Sequence, residues 1–172
     1  MFADDNADLQ NKISNLIDEL HDPDGIKRQK ARHDLILIGR NATPALVEIV
    51  SNETGHARWE AIKTLEGLRD PDAAPALVEA LMDEEKGTRW AASNALIGLD
   101  RAGIRSLLVG LTRHYDSVQF REVAHHILHT LKDRNSLLPK ELEVFEALES
   151  IEPAVKVPWA AEAALEELDS NG

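Results

Sequence analysis

The chain has 172 residues, 31 acidic against 19 basic, and a formal net charge of −12. It contains no cysteine, which excludes a disulfide framework, a thiolate zinc site, a Cys-ligated iron–sulfur cluster and a cysteine nucleophile. Apolar residues make up 43% of the sequence and aromatics only 4%, so Ala and Leu carry the core, a bias towards helices over strands.

The acidic start Met1-Phe2-Ala3-Asp4-Asp5 lacks the basic-then-apolar pattern of a signal peptide. No apolar run approaches the ~20 residues that span a bilayer. A cytoplasmic protein is expected. The first helix is expected over 7–20, with Leu9, Ile13, Leu16, Ile17 and Leu20 on one face. From there the sequence repeats. Pro-Ala-Leu-Val-Glu occurs at Pro44–Glu48 and again at Pro75–Glu79. A second element, Arg-x-x-Ala-x-x-x-Leu, begins at Arg28, Arg58, Arg89 and Arg121. Turn-forming stretches such as Asp22-Pro23-Asp24-Gly25 and Arg69-Asp70-Pro71-Asp72 separate the copies.

Each unit therefore reads as a helical hairpin. First helices are expected near 7–20, 43–51, 73–82, 102–113 and 138–150. Second helices are expected near 25–39, 57–68, 88–99, 118–132 and 158–168. The fifth unit is degenerate: Pro158 stands where the arginine should be, while Ala161, Leu165 and Leu168 keep the apolar offsets. The whole chain, 1–172, is expected to form one repeat domain. Residues 1–24 make an N-terminal cap helix and turn, 25–135 the central repeats and 136–172 a C-terminal cap repeat. The charge follows these divisions. Residues 1–24 carry seven acids and one base and residues 136–172 nine acids and two bases, leaving the middle nearly neutral.

The segments Asp83…Arg89-Trp90-Ala91-Ala92…Ala95-Leu96-Ile97-Gly98 and Asp70-Pro71-Asp72-Ala73-Ala74-Pro75-Ala76-Leu77 resemble HEAT repeats. They are most similar to the short HEAT-like repeats named after phycobilisome (phycocyanobilin) lyases. The resemblance implies an all-α, right-handed α-solenoid of about five hairpins. It also implies a structural ladder in which a turn aspartate pairs with the second-helix arginine: Asp22 with Arg28, Asp83 with Arg89 and Asp116 with Arg121. Asn52 precedes Arg58, so that rung is expected to be weaker. A guanidinium suits the role independently, because its planar fork of donors can bridge a turn carboxylate and nearby carbonyls.

The resemblance also implies that second helices line the concave side. On a 100° wheel, offsets +1, +5 and +8 from each arginine point away from the core. The candidate partner-binding residues on that stripe are Trp59, Lys63, Trp90, Asn94, Ile97, His126, His129 and Trp159. All three tryptophans of the chain fall on offset +1. The stripe is read either as a binding surface or as packing that covers neighbouring helices.

Catalytic signatures are sparse. His125, His126 and His129 cluster, but no His-Glu-x-x-His motif accompanies them, and the His-Glu dipeptides of a related di-iron family do not occur. No Gly-rich phosphate loop or nucleophile elbow is found. The expectation is a non-enzymatic adaptor or scaffold, without metal or cofactor, binding another protein and not nucleic acid or membrane, and monomeric. The alternatives are a bilin lyase subunit or bilin-handling chaperone, suggested by the resemblance, and a HEAT-like nucleic-acid enzyme.

Overall fold

A computed structural model describes the backbone of residues 2–170 and the side chains from residue 6 to 170. The described residues form ten α-helices, joined by short turns and three 3-10 segments. The first pair is α1 (Phe2–Glu19) and α2 (Gly25–Ile38), the second α3 (Thr43–Asn52) and α4 (Gly55–Leu68). The third pairs α5 (Ala74–Glu79) with α6 (Lys86–Gly98), and the fourth α7 (Arg101–Arg113) with α8 (Val118–Asp133). The fifth consists of α9 (Pro139–Leu148) and α10 (Pro153–Ser170). None of the described helices is long and apolar enough to cross a membrane.

Local chemistry sets the helix ends. Asp24 caps α2 by accepting from the Ile26 N–H at 2.9 Å, and Ser117 caps α8 by accepting from the Phe120 N–H at 3.2 Å. Pro44 and Pro75 sit in the first turns of α3 and α5, where no intrahelical partner is lost. The segment expected as one helix over 73–82 is broken instead: a six-residue α-helix flanked by 3-10 turns, Pro71–Ala73 and Ala80–Met82.

The hairpins stack in two layers. α2, α4, α6 and α8 pack side by side, and α1, α3, α5 and α7 form the other layer. A continuous core runs between them, from Leu16 and Leu20 through Leu46, Leu65, Leu77 and Leu96 to Leu107 and Leu128. The fold is an all-α solenoid, as the repeats imply.

The fifth hairpin departs from the expected layout. α9 packs on α8, and α10 packs on α7 and α9. The hairpin is turned over, so its second helix continues the first-helix layer. The Phe145 ring of α9 stacks on His125 of α8 at 4.9 Å and lies 4.2 Å from the Lys132 Nζ. α10 presents the small apolar face Val157, Ala161 and Ala164, all buried. It starts at Pro153, earlier than the 158–168 expected. Pro158 lies inside it and removes one intrahelical hydrogen bond, the one that would reach the Ala154 carbonyl.

Four buried carboxylates stitch hairpin to hairpin: Glu60, Asp70, Asp83 and Glu141. Glu60 of α4 accepts from Arg28 Nε at 2.7 Å and from Arg32, both on α2. Asp70, in the turn before α5, accepts from the Thr43 hydroxyl of α3 at 2.7 Å. Asp83, in the turn before α6, accepts from Arg58 of α4. Glu141 of α9 is held by Arg101 of α7 and accepts from the Leu138 N–H at 2.8 Å.

The ladder is therefore wired differently from the expected one. Arg28 reaches its own turn through the main-chain oxygens of Asp22 (2.7 Å) and Pro23 (3.0 Å). Arg89 does the same with Asp83 (2.8 Å) and Glu84 (2.9 Å), and Arg121 with Tyr115. The Asp22 carboxylate accepts instead from the Asp24 N–H and Lys27. The Asp83 carboxylate is turned to the Glu85 N–H and to Arg58 of the preceding hairpin. Asp116 is exposed. The rung expected to be weak, at Arg58, is the one that carries a buried ion pair across hairpins. A short turn offers an arginine from its own hairpin mainly carbonyls, since its aspartate is occupied in capping.

Between the third and fourth hairpins close packing takes the place of a buried carboxylate. A methyl on Gly103 of α7 would run into the Leu96 carbonyl oxygen of α6. One on Gly110 would come within 2.6 Å of both Phe120 and Val78.

Glu60→Ala leaves Arg28 and Arg32 without their buried partner and should lower unfolding free energy by about 3 kcal/mol or more. Glu60→Gln, which keeps the shape, should recover only part of that, read by urea denaturation. Gly103→Ala should cost about 1–3 kcal/mol because backbone must move. Gly87→Ala, with open space around it in the first turn of α6, should instead be neutral or stabilising by up to about 1 kcal/mol.

Candidate functional site

The candidate site is the outer face of the second-helix layer. It is built from α2, α4, α6 and α8, whose inner faces carry the core alanines and leucines at the repeat offsets Ala31/Leu35, Ala61/Leu65, Ala92/Leu96 and Ala124/Leu128. That register turns offset +1 outward at every level. Trp59 is partly buried, and its ring carries the Arg32 guanidinium of the preceding hairpin 5.5 Å from the centroid. Trp90 is 55% exposed, and its ring lies 5.0 Å from His126 of the next hairpin, tilted by 31°. Each tryptophan thus pairs with a side chain from an adjacent second helix, a cation–π contact in one case and a ring contact in the other.

A groove of about 220 Å³ runs between α6 and α8. Trp90, Val123 and His126 line it with Lys86, Arg89 and Glu122. Lys63 and Asn94 lie half-buried on the same face, Lys63 joined to Glu66. His129 is exposed and pairs with Asp133 at 3.2 Å.

Two of the expected stripe residues fall elsewhere. Ile97 is only 6% exposed. An interior second helix is covered on both flanks by its neighbours, and offset +8 lies near the edge of its outward arc, so α6 buries that position. Trp159 is 73% exposed, but α10 belongs to the first-helix layer, which removes it from the row of Trp59 and Trp90. It shares an outward stripe with the exposed Val155, one helical turn away.

Sequence reasoning missed three features of this face. Arg32 was not singled out, yet it bridges Glu60 and Trp59. Lys86 sits in the first turn of α6, ahead of the repeat motif. Val123 falls at offset +2, one residue outside the chosen stripe. The signal available for Arg32 was its i,i+4 spacing from Arg28, which places both guanidinia over the same carboxylate.

The layer also differs in charge from the chain as a whole. α2, α4, α6 and α8 together carry ten lysines and arginines against five acids, and five of the seven histidines. Among the described residues no cluster of three or more His, Asp or Glu is placed to hold a metal ion.

A second, wider groove of about 450 Å³ crosses α3, α5 and α7 on the opposite layer. Val47, Ala76, Val109 and Gly110 make its floor, and Arg105 at its rim is paired with Asp169 of α10 at 2.9 Å.

Histidine–carboxylate pairs clasp successive hairpins: His21 with Glu53 at 2.7 Å, His114 with Glu79 at 3.3 Å and His125 with Glu149 at 3.2 Å. The hydrogen bond to Glu53 holds the His21 pKa above the ordinary histidine value of about 6.5; partial burial opposes it, and the Ile17 carbonyl adds to it. A raised folded pKa gives stability that is fully present below the unfolded value and is lost as pH rises through the folded one. The contact between the first and second hairpins should therefore weaken as pH rises through the folded His21 pKa, above 6.5. In a histidine NMR titration His21 should titrate above 6.5, and Glu53→Gln should bring it back down.

The family described as HEAT repeats matches residues 13–97. That stretch runs from the second half of α1 to the end of α6 and takes in Trp59 and Trp90, so the first three hairpins are similar to HEAT repeats. No curated protein matches the chain.

Proposed function

We propose that this protein is a non-enzymatic interaction module of the cytoplasm that holds another protein against its second-helix face. The observation that carries this reading is the exposed Trp90 at the mouth of the α6–α8 groove. Its ring is already ordered by His126, so little side-chain freedom remains to be lost on binding. HEAT repeats commonly serve as protein-interaction scaffolds, and a rigid stack displaying a row of aromatic and cationic side chains suits that use.

The groove volume argues in the same direction. About 220 Å³ accommodates one or two side chains of a partner and falls below the roughly 300–1,000 Å³ of small-molecule sites. A bilin-handling role, suggested by the likeness to phycobilisome-lyase repeats, has less support on this face for that reason. Catalysis finds no support on this face: its carboxylates are either buried in ion pairs, as Glu60 is, or solvated, as Glu122 is.

A photo-crosslinking phenylalanine analogue in place of Asn94 or His126 should yield discrete protein adducts in the native cell. The same analogue in place of Ser51 or Arg113, on the first-helix layer, should yield few. Equal adducts from both layers, or none from position 94 or 126, would defeat the proposal.

A further inference from the structure

We infer that the partner segment seated in the α6–α8 groove is acidic, with a bulky apolar side chain entering beside Trp90 and Val123 and flanking carboxylates meeting Lys86 and Arg89. This rests on reading the second-helix face as the partner surface. Once internal ion pairs are set aside, the charges left on the second helices complement an acidic segment.

On α2, α4, α6 and α8, Glu60 is consumed by Arg28 and Arg32, Glu66 by Lys63 and Asp133 by His129. Arg58 is taken by Asp83 and Lys27 by Asp22. Among the described residues, five cations of these helices have no carboxylate partner: Lys30, Lys86, Arg89, Arg121 and Lys132. Among the described residues, two acids of these helices, Asp34 and Glu122, have no cation partner. The surplus on these four helices is positive, in a chain whose total is −12, although the exposed turn acids Glu84 and Glu85 stand just ahead of Lys86.

The groove concentrates that surplus. Lys86 is exposed at one end. Arg89 spends Nη1 on the carbonyls of Asp83 and Glu84, which fixes its guanidinium and leaves Nε and Nη2 for a carboxylate. Between these cations and Glu122 the floor is apolar: the Trp90 ring, Val123 and the His126 ring. An acidic segment with a central aliphatic or aromatic residue satisfies both parts. A polynucleotide satisfies them less well, because the free cations are spread singly over four helices with Asp34 and Glu122 among them, and strong phosphate binding needs several neutralising contacts in register.

The test is to pan a random dodecapeptide phage library on the full-length protein, then measure the enriched peptides by fluorescence anisotropy. Enriched sequences should carry net negative charge around an aliphatic or aromatic residue. Lys86→Glu and Trp90→Ala should each weaken them by about tenfold or more, and added salt should weaken them too. Arg113→Glu, on the other layer, should leave them unchanged. Lys86 is exposed, so Lys86→Glu keeps the test valid should Trp90→Ala fold poorly.

Neutral or basic peptides that still respond to Trp90→Ala would overturn the acidic occupant and leave the partner surface standing. Enrichment of nothing, or of peptides indifferent to both substitutions, would overturn both. A labelled single-stranded oligonucleotide that binds more tightly than any peptide and is lost with Lys86→Glu would overturn the inference in favour of nucleic acid.

Discussion

The stack depends on one kind of contact: a carboxylate removed from water and held by a donor from the neighbouring hairpin. A buried carboxylate is costly unless paired and hydrogen-bonded. Glu60 with Arg28 and Arg32, Asp83 with Arg58, Asp70 with Thr43 and Glu141 with Arg101 all meet that condition across a hairpin boundary. Apolar burial supplies the bulk of the cohesion but is tolerant of small slips. The ion pairs are not, because a displaced partner leaves a charge stranded. They fix how far and at what angle the hairpins they join sit on one another, and with it the spacing of Trp59 and Trp90.

The same contacts link the fold to the surface. Arg32 lies between Glu60, which anchors it, and Trp59, over whose ring it rests. Arg89 is locked by two turn carbonyls at the edge of the α6–α8 groove. Trp90 is positioned by His126 of the following hairpin. The outward row is therefore held by the internal wiring, and its geometry is that of the repeat spacing.

The repeat architecture was legible because its signals are periodic. Arg28, Arg58, Arg89 and Arg121 recur at one helix position with Ala and Leu at fixed offsets, and the helices fall within a few residues of where that pattern puts them. Features outside the period were not legible. Glu60 is a single glutamate on a helix, and nothing in its own spacing shows that α2 closes over it. The overturned fifth hairpin was hidden for a related reason. Ala161, Leu165 and Leu168 mark which side of α10 is apolar, but an apolar stripe is satisfied equally by α7 and α8. The layer is decided by which partner accepts the small face Val157, Ala161 and Ala164, and that choice placed Trp159 away from the other tryptophans. Ile97 was misplaced because a helical wheel treats a helix as having one neighbour, whereas α6 has one on each flank.

Charge completes the connection between interior and surface. Along the sequence the acids gather at the two ends and the middle is nearly neutral. In space a second division crosses the first. The carboxylates that bind the hairpins together are turned inward, so they subtract from what the second-helix layer shows to solvent. Lys30, Lys86, Arg89, Arg121 and Lys132 keep their outward charge, since no carboxylate within the layer neutralises them. The wiring that stabilises the stack thus also leaves the second helices of a strongly acidic chain with more unpaired cations than acids. An acidic partner approaching from solution would be repelled by the ends and drawn to the row that Trp59 and Trp90 mark.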